Sequence, residues 1–109
     1  MCGHAQLSVT VPPEILFRTY PYRSGTSRTI TQHFAGYARH VQGRFLPKPS
    51  FVVEIGSNDG TLLRAFDLSR TRVLGVEPAR NIAALANAEG IETITEFFTE
   101  TLASEIAAS

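Results

Sequence analysis

The hydrophobic pattern of the chain changes near residue 27. Before it, prolines and Gly25 interrupt the sequence, which predicts a loop with one short helical turn over residues 14–19. After it, apolar residues recur at spacings of three and four, which is typical of one face of a helix. They are Ile30, Phe34, Tyr37, Ala38, Val41 and Phe45. A serine or threonine among residues 24–27 is placed to cap this helix, and the prolines at 47 and 49 end it.

The second half of the chain alternates between two kinds of pattern. Short apolar runs predict strands, over residues 51–55, 72–77 and 91–95. Stretches with helical spacing follow them, over residues 61–66, 79–89 and 99–108, and Gly90 suits a C-cap. The alternation predicts an α/β fold with about three parallel strands, flanking helices and a ligand site outside the carboxyl ends of the strands. Three strands are few for such a sheet, so we expect a truncated domain.

Size and charge narrow the classes of function. The 109 residues suffice for one domain, and ten basic against ten acidic residues give no general attraction to nucleic acid or an anionic membrane. No apolar run approaches the roughly 20 residues of a membrane span, and no signal peptide is evident, so a cytoplasmic protein is expected. Cys2 is the only cysteine, and one thiolate cannot form a structural zinc site by itself.

The stretch Gly56-Ser57-Asn58-Asp59-Gly60 turns from the first strand into the next element. Its glycines permit positive φ and close approach of a ligand. A dinucleotide fingerprint, G-x-G-x-x-G, would have its middle glycine where this chain has Asn58. Glu54 and Asp59 would also repel a pyrophosphate. The turn therefore favours a cation such as S-adenosylmethionine, which carries a sulfonium and an ammonium against one carboxylate.

Glu77 ends the second strand, 21 residues after Gly56. In nucleoside-binding sheets an acidic residue at this place accepts hydrogen bonds from the ribose diol. Pro78 is expected to hold Glu77 extended, with its carboxylate directed out of the sheet edge. Either glutamate alone could be a solvated strand end, but Glu54 and Glu77 together favour a binding site. A nicotinamide-dependent oxidoreductase would share the sheet and Glu77, and it stays open as an alternative.

Four stretches of the chain form a set: VVEIGSNDGTLL, VLGVEPARNIA, GIETITEFF and the upstream PPEILFRTYPYRSGTSRTITQHF. Together they resemble the sugar C-methyltransferases that act on nucleotide-activated deoxysugars. The resemblance implies a partial, Rossmann-like class I methyltransferase fold with S-adenosylmethionine as the cofactor. It assigns the cofactor to Glu54, Gly56, Ser57, Asn58 and Gly60 around the methionine part, Glu77 at the ribose and Asn81 near the adenine. Tyr22 matches a segment that lines the active site in relatives, although it could equally be a turn residue.

The resemblance also implies what surrounds this chain in relatives. Residues 1–26 would be a linker after a missing zinc-binding module, with Cys2 an orphan zinc ligand, and zinc would be bound only in a full-length relative. Residues 27–109 would be a helix and the first half of the cofactor domain.

The catalytic half of such an enzyme is expected to lie outside the chain. The general base in relatives is a histidine beyond residue 109, and His33 and His40 are interpreted as solvated residues on the predicted helix. The chain alone would then be inactive, and the nucleotide sugar would bind to the complete enzyme. A non-catalytic binding module, or a partner subunit that completes a split enzyme, stays open.

Overall fold

The sheet has the predicted parallel architecture. In a computed structural model, which describes residues 3–109, three parallel strands lie in the order β1-β2-β3. Their bounds are Ser50–Ile55 for β1, Thr71–Val76 for β2 and Thr93–Ile94 for β3. Six residue pairs join β1 to β2, from Ser50–Thr71 to Ile55–Val76, whereas two pairs join β2 to β3. The partial Rossmann-like fold is confirmed, with a third strand shorter than predicted.

In the described part of the chain, residues 3–109, four α-helices accompany the sheet. They are α1 (Pro13–Phe17), α2 (Arg28–Arg44), α3 (Arg80–Ala88) and α4 (Glu100–Ala108). The side chain of Ser27 accepts a hydrogen bond from the Ile30 amide, and that of Thr99 accepts one from the Leu102 amide. These hydroxyl caps fix where α2 and α4 begin, because they satisfy amides that have no partner within the helix. The predicted long helix and both C-terminal helices are confirmed.

The helix predicted over residues 61–66 is wrong. Only Leu63–Ala65 form a short 3-10 turn, and Phe66 after it is extended, with φ −76° and ψ 155°. The carboxylate of Asp59 accepts hydrogen bonds from the amide and hydroxyl of Thr61, and Gln42 of α2 accepts one from the Asp67 amide. Gln42 thus takes the Asp67 amide, which in a continuing helix would donate to the Leu63 carbonyl, whereas the Asp59 carboxylate caps the start of the turn.

The core lies between the sheet, α3 and the 3-10 turn. Its members are Leu63, Ala86 and Ile91, with Val52 and Val73 packed against them. Ala38 is the fully buried residue of α2, and Gln42 on the same helix donates to the Thr71 hydroxyl at 3.2 Å. This packing leaves the carboxyl ends of the strands uncovered by the core. Among residues 3–109, no helix is long and apolar enough to cross a membrane.

Candidate functional site

The glycine turn over residues 56–60 folds back across the end of β2. Gly56, Asn58 and Gly60 have positive φ values of 71°, 50° and 73°. The amides of Gly56 and Ser57 both donate to the Val76 carbonyl, at 2.8 and 3.2 Å. Glycine adopts these conformations without strain, and asparagine tolerates them better than most residues.

Glu77 anchors this turn from β2. Its side chain accepts hydrogen bonds from the amides of Asn58 and Ala79, each at 2.9 Å, and the residue is only 7% exposed. The expectation that its carboxylate projects out of the sheet edge is therefore wrong, because the carboxylate is held between the Asn58 amide of the turn and the Ala79 amide at the start of α3. Glu77 nevertheless lines a cleft at this end of the sheet.

A cleft of about 510 Å³ lies at the carboxyl ends of β1 and β2. Three of the predicted cofactor residues line it: Gly56, Asn58 and Glu77. The other lining residues are mostly apolar or aromatic: Pro13, Phe17, Tyr20, Ile55, Val76, Pro78, Phe97 and Phe98. This volume and lining are typical of small-molecule sites.

The sequence interpretation missed the aromatic walls of the cleft. Phe97 and Phe98 follow β3, so the rule that ligands bind beyond the carboxyl ends of parallel strands could have found them. The guanidinium of Arg18 lies 4.7 Å from the centre of the Phe97 ring and thereby holds that wall beside α1. No comparable signal marks Phe17 or Tyr20, because their place depends on how the N-terminal segment crosses the sheet.

Negative charge lies beneath the turn. Burial, followed by the nearby carboxylates of Asp59 and Glu77, raises the pKa of Glu54 to about 7. The Oε2 atom of Glu54 is buried without a hydrogen-bond partner among residues 3–109. Burial also acts to raise the pKa of Asp59, but hydrogen bonds from Thr61 and the Gly25 amide outweigh it and leave that pKa below its usual value. Of the described residues 3–109, those that line the cleft include neither lysine nor arginine.

Three further predicted residues, Glu54 before the turn and Ser57 and Gly60 within it, do not line the cleft. Glu54 shares a face of β1 with the core residue Val52, because side chains alternate along a strand. Ser57 is buried with its hydroxyl against Gly75, and Gly60 packs on Ile91. Their contact with a cofactor stays a prediction.

Asn81 and Tyr22 lie at the rim of the site. The Asn81 side chain, in the first turn of α3, accepts from the Tyr20 amide at 3.1 Å and donates to the Tyr20 carbonyl at 2.8 Å. Tyr22 is 44% exposed and is absent from the cleft lining, where Tyr20 is found instead. The cofactor role of Asn81 and the catalytic role of Tyr22 stay predictions.

The histidines of α2 lie apart from the cleft. His33 stacks on Tyr37 with ring centres 6.4 Å apart, and His40 meets Phe45 edge-on at 6.1 Å. Within residues 3–109, no group of three or more histidine, cysteine, aspartate or glutamate side chains is placed to hold a metal ion. Cys2, the predicted orphan zinc ligand, lies outside the described residues.

Comparison with curated proteins finds a match over almost the whole chain. The C-methyltransferase NovU of Streptomyces niveus is 38% identical over 107 residues, which cover 97% of this chain. The predicted relationship to C-methyltransferases is confirmed. The chain spans only 26% of the length of NovU. No family model matches the chain.

Comparison with solved structures finds the plantazolicin methyltransferase BpumL, whose structure is a complex with SAH. It is 19% identical to this chain, with a TM-score of 0.47, and the match covers 62% of this chain and 29% of BpumL.

Proposed function

We propose that this chain forms the S-adenosylmethionine-binding part of a methyltransferase that C-methylates a nucleotide-linked keto-deoxysugar in the cytoplasm. The observation that carries the proposal is the 38% identity to a C-methyltransferase over 97% of the chain. The cleft at the carboxyl ends of β1 and β2 supports it, because open α/β sheets bind ligands there.

The cofactor fits the chemistry of this cleft. Glu77 lines it, Glu54 and Asp59 lie beneath the turn, and no basic side chain lines it to neutralise a polyphosphate. S-adenosylmethionine has no phosphate and carries a net positive charge, so these carboxylates favour it over a dinucleotide. When bound, it supplies an electrophilic methyl group.

The residues of the chain have separate tasks in this proposal. Glu77 accepts one hydrogen bond from the turn, at Asn58, and one from Ala79 at the start of α3, and it retains lone pairs for a ribose hydroxyl. Gly56 lets the ligand approach the backbone closely. Phe17, Tyr20 and Phe97 provide apolar walls that exclude water and pack against an adenine ring.

Methylation at carbon also needs a general base within hydrogen-bond reach of the sugar. The cleft lining includes no histidine. We therefore assign the base, and most of the nucleotide-sugar site, to the part of the enzyme that this chain does not span. That remainder is the proposed partner of the chain.

Calorimetric titration with S-adenosylhomocysteine tests the cofactor site, after circular dichroism has shown that the chain is folded. We expect binding of one equivalent and no binding of NAD. Glu77→Gln should weaken the affinity at least tenfold, about 1.4 kcal/mol, because it removes the charge from the ribose acceptor and leaves the amide of Asn58 or Ala79 without its acceptor. Glu92→Gln is the matched control, since Glu92 is exposed and outside the cleft lining. A folded chain that binds neither ligand, or that prefers NAD, would overturn the proposal.

A further inference from the structure

The backbone of residues 20–25, here called the strap, is held by side chains of the candidate site. The amide group of Asn81 pairs with both the N–H and the carbonyl of Tyr20. That of Asn58 accepts from the Ser24 amide at 2.9 Å and donates to the Tyr22 carbonyl at 3.1 Å. Asp59 accepts from the Gly25 amide at 3.0 Å. Five hydrogen bonds thus join the strap to the turn and to α3.

The strap also lies too close to the turn for a larger residue at its end. A Cβ atom on Gly25 would stand 2.9 Å from both Asp59 Oδ2 and Thr61 Oγ1. The Arg23 guanidinium extends the contact, with Nε 3.7 Å from Asp59 and Nη2 3.7 Å from Glu89. Carboxylates of the turn and of the end of α3 therefore face the strap along with the two asparagines.

The strap accounts for the identity of residue 58. Its φ of 50° is a conformation that glycine adopts at least as easily as asparagine. A glycine would therefore form the same turn but would leave the Ser24 amide and the Tyr22 carbonyl without their partner. What asparagine adds is a side chain with both a donor and an acceptor.

We propose that Asn58 and Asn81 are positioning residues, which fix the strap so that Tyr20 forms a wall of the cleft and Tyr22 stays beside the glycine turn. That the ligand packed against this wall is an adenine nucleoside rests on the proposed function. The two asparagines act through the strap, so ligand binding at the turn and order in the strap are coupled.

Amide hydrogen exchange of the ligand-free chain, followed by NMR, separates the two asparagines. In Asn58→Gly the Ser24 amide should exchange at least tenfold faster while the Tyr20 amide stays protected. In Asn81→Ala, where alanine suits the helix, the Tyr20 amide should be released and the Ser24 amide should stay protected. Unchanged protection of both amides in their respective variants would overturn the proposal.

Titration with S-adenosylhomocysteine provides a readout that a purely structural role would not move. In the wild-type chain the ligand should slow exchange of the Ser24 and Tyr20 amides further. Each variant should bind S-adenosylhomocysteine severalfold more weakly than the wild type. The ligand should no longer slow exchange of the Ser24 amide in Asn58→Gly or of the Tyr20 amide in Asn81→Ala. Binding with unchanged affinity by both folded variants would contradict the positioning role and leave the proposed function standing. If the wild-type chain binds no ligand, the proposed function fails. The exchange rates of the Ser24 amide in Asn58→Gly and of the Tyr20 amide in Asn81→Ala then decide by themselves whether the asparagines fix the strap.

Discussion

At the scale of single residues, the half-buried carboxyl group of Glu54 stands out, because its ionised form is strongly disfavoured in the folded chain. Burial is the main cause that raises its pKa to about 7, and the carboxylates of Asp59 and Glu77 add to it. The folded state therefore holds this proton more tightly than the unfolded chain, whose glutamate titrates near 4.5. Proton binding to Glu54 therefore contributes to the free energy of unfolding. This contribution is fully present below the pKa of the unfolded chain and is lost as the pH rises through the pKa of the folded chain.

Substitution of Glu54 by glutamine should therefore stabilise the chain at pH 8 and change little at pH 4.5. The expected gain at pH 8 is about 3 kcal/mol, because the carboxyl group is charged there and the glutamine is not. Urea denaturation at both pH values measures it, with the exposed Glu92→Gln as the control. A gain of equal size at both pH values would show that the charge of Glu54 is not the cause.

The site carboxylates could be predicted from the sequence, but their partners could not. Glu54 and Glu77 are recognisable as acidic ends of apolar runs next to a glycine turn. The hydrogen bonds of Asn58 to Ser24 and of Asn81 to Tyr20 join residues 34 and 61 positions apart. Such pairings depend on where an irregular segment crosses the sheet, and no periodic pattern encodes that path.

At the scale of elements, Gly75 sets the distance between β2 and the glycine turn. A Cβ atom there would overlap the Ser57 hydroxyl and would stand 2.9 Å from the Thr93 hydroxyl. The glycine in this strand is thus required by space, since its φ is not positive. It lets the turn pack directly on the strand whose end forms the floor of the cleft.

Gly75→Ala should consequently destabilise the chain by roughly 1–3 kcal/mol, the usual cost of overpacking a tight site. Gly43→Ala is the matched comparison, because it lies in α2 and the added carbon would meet no described atom within 4 Å apart from its chain neighbours and the backbone of its own helix. That variant should be more stable than the wild type by about 0.5–1 kcal/mol, since alanine favours a helix. Chemical denaturation of both variants tests the pair, and a neutral Gly75→Ala would contradict the packing argument.

Helices and strands were predicted correctly where the apolar residues of a periodic pattern pack against the rest of the fold. The prediction failed where a side chain hydrogen-bonds to the backbone. The spacing of Leu62, Leu63 and Phe66 resembles a helix, and two of the three are buried in the fold. The Gln42 side chain nevertheless accepts a hydrogen bond from the Asp67 amide, which a continuing helix would have used. The apolar spacing therefore coincides with burial at Leu63 and Phe66, whereas the helix predicted from it is not formed.

At the scale of the whole molecule, one face of the sheet is left partly open. Within residues 3–109, β1 pairs with β2 alone, and the side chains of Phe51 and Ile55 are 40% and 58% exposed. Together with Val53, Phe98 and the Ile106 side of α4 they border a cleft of about 430 Å³. The parallel sheet could be predicted, because strand and helix patterns alternate along the chain. What contacts the open face could not be predicted, because the hydrophobic pattern of one chain does not identify the surfaces that pack against it.

An unpaired strand edge next to an apolar surface favours association. We expect the purified chain to associate reversibly as its concentration rises, which sedimentation velocity would detect. Phe51→Glu should shift the distribution towards monomer, because a charge on an edge strand opposes pairing. The new carboxylate would lie beside the Arg72 guanidinium, which is now 4.7 Å from the centre of the Phe51 ring, so the charge has a partner within the folded chain.

Phe45→Glu separates this edge effect from a general gain in charge. Phe45 is also an exposed phenylalanine, but it lies at the end of α2 and does not border the cleft beside β1. Association should persist in this variant if the edge of β1 drives it. If both variants shift equally towards monomer, the effect is due to net charge. If the wild-type chain stays monomeric at every concentration, the open face does not drive association in solution. Since Phe51 lies at the opposite end of β1 from the glycine turn, neither outcome should change the affinity for S-adenosylhomocysteine.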